Sequence, residues 1–395
     1  AGIAFSNVVA NQNGQRGIDV AIRDADVAEI DLENLQANGN QAAGVSVETA
    51  AAEVALVAVR DATANENSGA GLDLLQTGSP LAVAAVSGIQ ANDNEGAGIR
   101  AVQTDNGIGL ANVSGSTARD NAGAGVSLDQ DSVFASIGIV GMPEGFAATA
   151  DALTALLDLE LPDEIDPFLG PFGAVTATGN GARGVQATVR TDGVLALGGI
   201  FDVAANNNVG GGVYSLNEAT NGIAAGLAGS SENLAEVVQL GTNVAALFDL
   251  DLPVSLAGGG HMQANDNAGP GFEMHTLGDL AAVSAIVGLE TVGNTGAGAV
   301  VEADSETLSL AAIARLVTTG NSGDGLQLDV VGTDYAGLGL LADVNASDNG
   351  GNGIAASVAS TNGIAALLAL STDALRPAAA LLGEGYFGEA IEVPG

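Results

Sequence analysis

Apolar and polar residues alternate in short bursts along this chain, and each burst follows the same signal. Eleven times an Asn stands four residues before a Gly, and an apolar residue follows that Gly: Ile18, Val45, Leu72, Ile99, Val126, Val185, Val213, Phe272, Ala299, Leu326 and Ile354. Two residues on, most are apolar again, as at Val20, Val47, Leu74, Leu128, Met274, Val301 and Leu328. Polar residues such as Asp19, Ser46, Asp73, Arg100 and Glu273 sit between them. A period of two predicts a short strand with one buried face. A second strand is predicted roughly ten residues after the Gly, as in Val54-Ala-Leu-Val-Ala-Val59, Gly107–Ala111, Gly193–Ala196 and Gly222–Ala225. A third, shorter one leads into the Asn, as in Leu35-Gln-Ala-Asn38, Ile89–Asn92 and Met262–Asn265.

The Gly recurs at 17, 44, 71, 98, 125, 184, 212, 271, 298, 325 and 353, with steps of 27 or 28 and two of 59. Three short strands per repeat bury nothing alone, but stacked coils do, each strand pairing in parallel with its equivalent about 4.8 Å away. The predicted fold is therefore all-β: a right-handed parallel β-helix of about 12 coils, a single solenoid domain over residues 1–395 and a rod roughly 55–60 Å long.

The repeated Asn residues are Asn13, Asn40, Asn67, Asn94, Asn121, Asn180, Asn208, Asn267, Asn294, Asn321 and Asn349. Stacked at one corner they are expected to form a structural amide ladder, and Asn tolerates the left-handed backbone of a sharp corner. A row of ligands is the lesser reading, because amides alone bind metals weakly and no carboxylate column accompanies them. The Gly is expected where a Cβ would crowd the turn, and the Ala seven residues before it (Thr at 291 and 318) suits a narrow interior.

The Asn-x-x-x-Gly-apolar repeat, for example Asn94-Glu-Gly-Ala-Gly-Ile99, resembles the right-handed β-helix superfamily. That group includes the pectate-lyase-like folds and the repeat-built passengers and stalks of bacterial surface proteins. The resemblance spans nearly the whole chain. It is specific for fold and weak for function, since such scaffolds carry lyases, hydrolases, adhesins and spacers alike.

Two repeats are lengthened, by insertions at about 140–172 and 228–258. Each is expected to contain a helix, and each ends in a similar Leu-Pro run, Ala155–Pro162 and Ala246–Pro253. A third such segment, 361–395, is expected to cap or assemble the C-terminal end. The apolar residues Phe146, Phe168, Phe172 and Phe248 of the inserts, with Ile3, Tyr386, Phe387, Ile391 and Val393 near the ends, are the candidate assembly contacts. Ala1-Gly2-Ile3 reads as the start of a coil 12 residues short of a repeat. Either the chain was cut from a longer β-helix, or its C-terminal strand completes the first coil of the next subunit.

Composition narrows the chemistry. The formal charge is −38, all nine cations are Arg, and there is no Lys, Cys or Trp. Nucleic acid is not an expected partner of so acidic a chain. A disulfide scaffold and a Cys-ligated metal are excluded. No apolar run reaches the roughly 18 residues of a membrane span. Pectate-lyase-like enzymes need an Arg or Lys base and usually Ca²⁺, whereas the Arg here are scattered: Arg16 and Arg183, and Arg23 and Arg190, share repeat positions but lie far apart. Polygalacturonase-type motifs are missing, Gly260-His261-Met262 being a partial echo. Among so many acids, a pair such as Asp19 and Glu48 carries no weight. His261 and His275 flank Asn267 and read as surface residues. Tyr214, Tyr335 and Tyr386 offer a poor aromatic platform for sugars.

The expected function is thus a non-enzymatic structural or adhesive rod, secreted or on the cell surface, whose signal sequence is not in this chain. It would be a subunit of a self-assembling surface or matrix filament, or a segment of a larger adhesin. The alternative is a pectate-lyase-like enzyme that binds or cleaves polysaccharide. No catalytic residue, cofactor or metal site is predicted, although bound cations such as Ca²⁺ are compatible with the charge. The expected partner is the chain itself, head to tail or through the insertion face, with polysaccharide as a second option. The acids are expected to form a solvated coat that resists sideways aggregation.

Overall fold

The computed structural model describes residues 1–141, 173–230 and 261–370. These contain 29 strands and no helix. The expected helices of the two inserts and of the C-terminal segment lie outside the described residues.

The strands stack into three parallel sheets. The front sheet begins with β2 (Ile18–Arg23), β4 (Val45–Ala50) and β6 (Leu72–Thr77), paired Val20↔Val47↔Leu74, and ends with β28 (Ile354–Ser360). The back sheet contains β3 (Val27–Gln36), β5 (Val54–Thr63) and β7 (Leu81–Ser87), paired Ile30↔Val57↔Ala84, and ends with β29 (Ile364–Leu370). A short third sheet lies before the Asn corner, where Ala91 pairs with Ala118 and Ala118 with Ala177. In two coils the chain turns from front to back within one strand, β9 (Ile99–Ser114) and β11 (Val126–Val140).

Partners in adjacent coils are 27 or 28 residues apart, and 59 where an insert intervenes, which is the spacing of the Gly signal. Both inserts leave after a back strand, following β11 and β17 (Ile223–Gly229), so they emerge at the same corner of the rod. Residues 364–370 of the expected C-terminal segment form one more back strand, paired Leu338↔Ala366.

One continuous apolar core runs from Ile18 to Leu341. The repeated Ala fills its narrowest corner: Ala37, Ala64, Ala91, Ala118, Ala177, Ala205 and Ala264 are each fully buried. Large side chains are admitted sparingly: Phe272 is in this core, while the fully buried Phe201 lies on the outward side of the back sheet beside Gly199.

Two expectations need correction. β1 (Gly2–Ser6) is a back strand, with Gly2 paired to Glu29 and Phe5 to Leu32. Gly2 therefore does not open a front strand, and the 12-residue deficit disappears because the chain enters the solenoid in mid-coil. The acidic coat is also incomplete. Charged residues decorate the front sheet and the corners, but the outward side of the back sheet bears no charge after Arg60 of β5, and its central row is apolar, as in Leu56, Val83, Leu110, Ile137 and Leu197 in consecutive coils. The contiguous apolar run Val54–Val59 reflects a strand that presents apolar side chains on both faces.

Candidate functional site

Two surfaces carry the polar chemistry of the rod: the Asn corner and the outward side of the front sheet. At the corner, the eleven Asn form one ladder from Asn13 to Asn349. The backbone N–H and side-chain Nδ2 of Asn67 both donate to Oδ1 of Asn94, at 2.9 and 3.0 Å. Asn94 also donates through Nδ2 to the carbonyl of Ala64 in the coil behind, at 3.0 Å. From Asn94 to Asn321 each ladder amide uses both hydrogens in this way, and its oxygen accepts two bonds. The ladder crosses both inserts, from Asn121 to Asn180 and from Asn208 to Asn267, with Nδ2–Oδ1 distances of 3.0 and 3.1 Å. A satisfied buried amide ladder fixes the register between coils.

The ladder explains the Gly. A Cβ on Gly44 would stand 2.7 Å from Nδ2 of Asn67 and 2.8 Å from the carbonyl oxygen of Gly71, so side-chain-free backbone is required by close approach. The left-handed backbone lies elsewhere than expected. It falls on the residue before each ladder Asn: Gln12, Gly39, Glu66, Asp93, Asp120, Gly179, Asn207, Asp266, Gly293, Gly320 and Asp348 all have positive φ. The ladder Asn itself is left free to aim its amide along the rod.

Two further polar rows escaped the sequence reading. A second Asn row, on the outer side of the corner, runs in the opposite sense: the N–H groups of Asn38, Asn65 and Asn92 donate to Oδ1 of Asn11, Asn38 and Asn65, each at 2.8 Å. Its signal is the doublet Ala-Asn-x-Asn, as in Ala64-Asn-Glu-Asn67 and Ala91-Asn-Asp-Asn94. The other row lies inside the front sheet. Nε2 of Gln103 donates to Oε1 of Gln76 at 2.6 Å, and Nε2 of Gln130 donates to Oε1 of Gln103 at 2.5 Å. Gln at a buried strand position reads as an interruption of the apolar alternation, which conceals it.

Outside, the front sheet carries Arg23, Arg100 and Arg190, and Arg16 and Arg183 reach its acids from the turns before β2 and before residue 185. Arg23 pairs with Glu48 at 2.7 Å and Arg100 with Asp73 at 2.7 Å, each bridging neighbouring coils. Asp19 pairs with Arg16, so Asp19 and Glu48 belong to different ion pairs. The densest group spans the coils around 183–302. The Arg183 guanidinium lies 3.9 Å from the ring centroid of Tyr214 and reaches Glu273 at 2.7 Å, two coils away. The rings of Tyr214 and His275 are 5.6 Å apart, and Nδ1 of His275 is 2.6 Å from Oε2 of Glu302. Beside them, burial, with help from Glu302 and then Asp329, holds the Asp304 carboxyl above its ordinary range. Asp131 is raised likewise, by burial and Asp192, with Arg190 opposing.

His275 thus belongs to a group, while His261 stands exposed where the chain re-enters after the second insert. Among the described residues no three of His, Cys, Asp and Glu are grouped as metal ligands. No described helix is long and apolar enough to cross a membrane. Of the candidate assembly contacts, Ile3 is partly buried against the core. Phe146, Phe168, Phe172, Phe248, Tyr386, Phe387, Ile391 and Val393 lie outside the described residues. No protein-family model, curated protein or solved structure matches the chain.

Proposed function

We propose that the chain is a non-enzymatic structural or adhesive rod of the cell exterior, a subunit of a surface or matrix filament or a segment of a larger adhesin. The observation that supports this reading is the ladder, unbroken from Asn13 to Asn349 through two insertions. The repeated polar residues are spent on holding coil to coil, and the cations Arg23, Arg100 and Arg183 on stapling one coil to another. Electron microscopy of native material tests it. Ordered fibres with an axial repeat near the rod length are expected, and dispersed single rods at high concentration would count against the filament.

One observation favours the second reading, a polysaccharide-binding or -cleaving protein. Tyr214, Arg183, His275 and the carboxylates of Glu273 and Glu302 share one outward strip. An aromatic ring flanked by charged hydrogen-bonding groups is an arrangement that holds sugars. Incubation with acidic and neutral polysaccharides separates the readings: turnover abolished by Tyr214→Ala and Glu302→Gln would replace the structural reading with the enzymatic one.

A further inference from the structure

The outward side of the back sheet carries two adjacent rows without charge. Its central row reads Leu56, Val83, Leu110, Ile137, Leu197, Ala225, Val283, Leu310, Leu338 and Ala366 in consecutive coils. The neighbouring row, from Ala58 and Ala85 through Ala312 and Leu340 to Leu368, has no charged residue either. On a chain of net charge −38, so long an uncharged face is selected against unless something covers it.

Cover is uneven along the rod. At β5 and β7, Leu56, Ala58, Val83 and Ala85 form a buried cluster of their own, separate from the main core. From β17 onward the cover thins: Ala225, Val283, Leu310 and Leu338 are half-buried, and at the margins Ile223 is 42% exposed, Leu280 56%, Tyr335 72% and Leu368 52%. The thinly covered part comprises β17, β20 (Ala281–Val287), β23 (Leu308–Ala314), β26 (Ala336–Ala342) and β29, with Leu280 and Tyr335 on its rim. Five strands about 4.8 Å apart, each of seven residues at about 3.3 Å, make a patch on the order of 550 Å². Two such patches face to face approach the roughly 1,200 Å² at the lower edge of specific interfaces.

We propose that this face binds the same face of a second copy of the chain, in a reversible back-to-back dimer. Sheets packed face to face stand about 10 Å apart and interdigitate their outward side chains. Apart from Glu29, Asp31 and Glu33 of β3, at the other end of the rod, the acids of each copy then lie on the far side and at the corners, so their repulsion weakens as salt screens it. The proposal goes beyond the structural reading and does not need it, since a sugar-binding rod would pair in the same way.

Sedimentation equilibrium of the full chain, from low to high NaCl and over a range of concentrations, tests it. The expected result is a monomer–dimer equilibrium that shifts toward twice the chain mass as salt rises. Leu310→Glu, whose partner in the next strand is Leu338, should weaken dimerisation at least about tenfold, because it buries a carboxylate at the centre of the contact. A melting curve shows whether that variant is folded. An independent test exploits the absence of Cys. A short bis-maleimide should cross-link the Ala312→Cys chain to a second copy and leave the Gln327→Cys chain, altered on the front sheet, uncrosslinked. A single monomer mass at every salt and concentration would overturn the proposal and leave the face to the chain's own remaining residues. So would a dimer indifferent to Leu310→Glu, or cross-linking through Gln327→Cys in place of Ala312→Cys.

Discussion

The front and back sheets hang on one set of coils, yet their outward sides have opposite chemistry. The front carries Arg–carboxylate pairs and the Tyr214–His275 group; the back carries Leu, Val, Ile and Ala through ten strands. Solenoid geometry treats the two alike, so the difference is one of chemistry: the front is fitted to water and ions, the back to apolar cover. Charge placed on each face in turn is the strongest test. Val83→Glu puts a carboxylate where the side chain is 2% exposed and should cost about 4 kcal/mol. Ser127→Glu, beside Arg100 on the front sheet, should change stability by no more than about 0.5 kcal/mol. Urea midpoints read both, and equal costs would erase the distinction between the faces.

A cut at the corner should weaken both faces together. Asn94→Ala removes the acceptor of two bonds from Asn67 and the donor to the Ala64 carbonyl, all buried. About 3 kcal/mol of lost stability is expected, because the stranded groups cannot reach water. Asn65→Ala, in the half-exposed outer row, should cost under about 1 kcal/mol, since water replaces its bond from Asn92. The difference between the two urea midpoints measures what burial adds to an amide ladder.

The coil architecture was legible because close-packed repeats allow few residues at the corner. Asn at 67 and Gly at 71 recur because an amide and a backbone touch there, and spacing alone exposes that. The αL residue was misplaced because Gln12, Glu66 and Asp93 share a backbone shape and not a side chain. The apolar back face was visible in Val54–Val59 and Leu81–Val86. In sequence it cannot be told from ordinary interior, because period-two reasoning does not say whether a fully apolar strand has one buried face or two. The Arg183 group was hidden for another reason: Arg183 and its partner Glu273 lie 90 residues apart and meet only once an insert-bearing coil is closed.

The acids of the front sheet offer a subtler contrast, read through pH. Asp131 and Asp304 ionise less readily in the fold than the ordinary value of 3.8. The folded chain therefore takes up their protons first as pH falls, and it gains stability between the raised folded values and 3.8. Above that window the penalty of the ionised carboxylates is fully present. Asp304→Asn should raise the urea midpoint at pH 7 and reduce the gain on acidification. The facing groups Glu302 and Asp329 stay in place, so the change reports Asp304. A variant that gains as much on acidification as the parent would remove burial of Asp304 as the cause.

The smallest effect expected is at Arg183. Its pair with Glu273 is partly buried, with side-chain exposures of 28% and 19%, and its guanidinium covers Tyr214. Arg183→Met keeps the aliphatic stem and removes both charge contacts, at a cost of about 1 kcal/mol. In a stack where each coil touches its neighbours, that loss should stay local. Hydrogen exchange should quicken in 213–219 and 272–278, whose strands pair through Tyr214↔Glu273, and stay unchanged in 45–50 and 72–77. High salt should shrink the difference on the front sheet and leave the back strands untouched, because salt screens a charge pair and not an apolar contact. Faster exchange spread evenly over all coils would mean that Arg183 serves the whole rod, and that the front face is built from more than local staples.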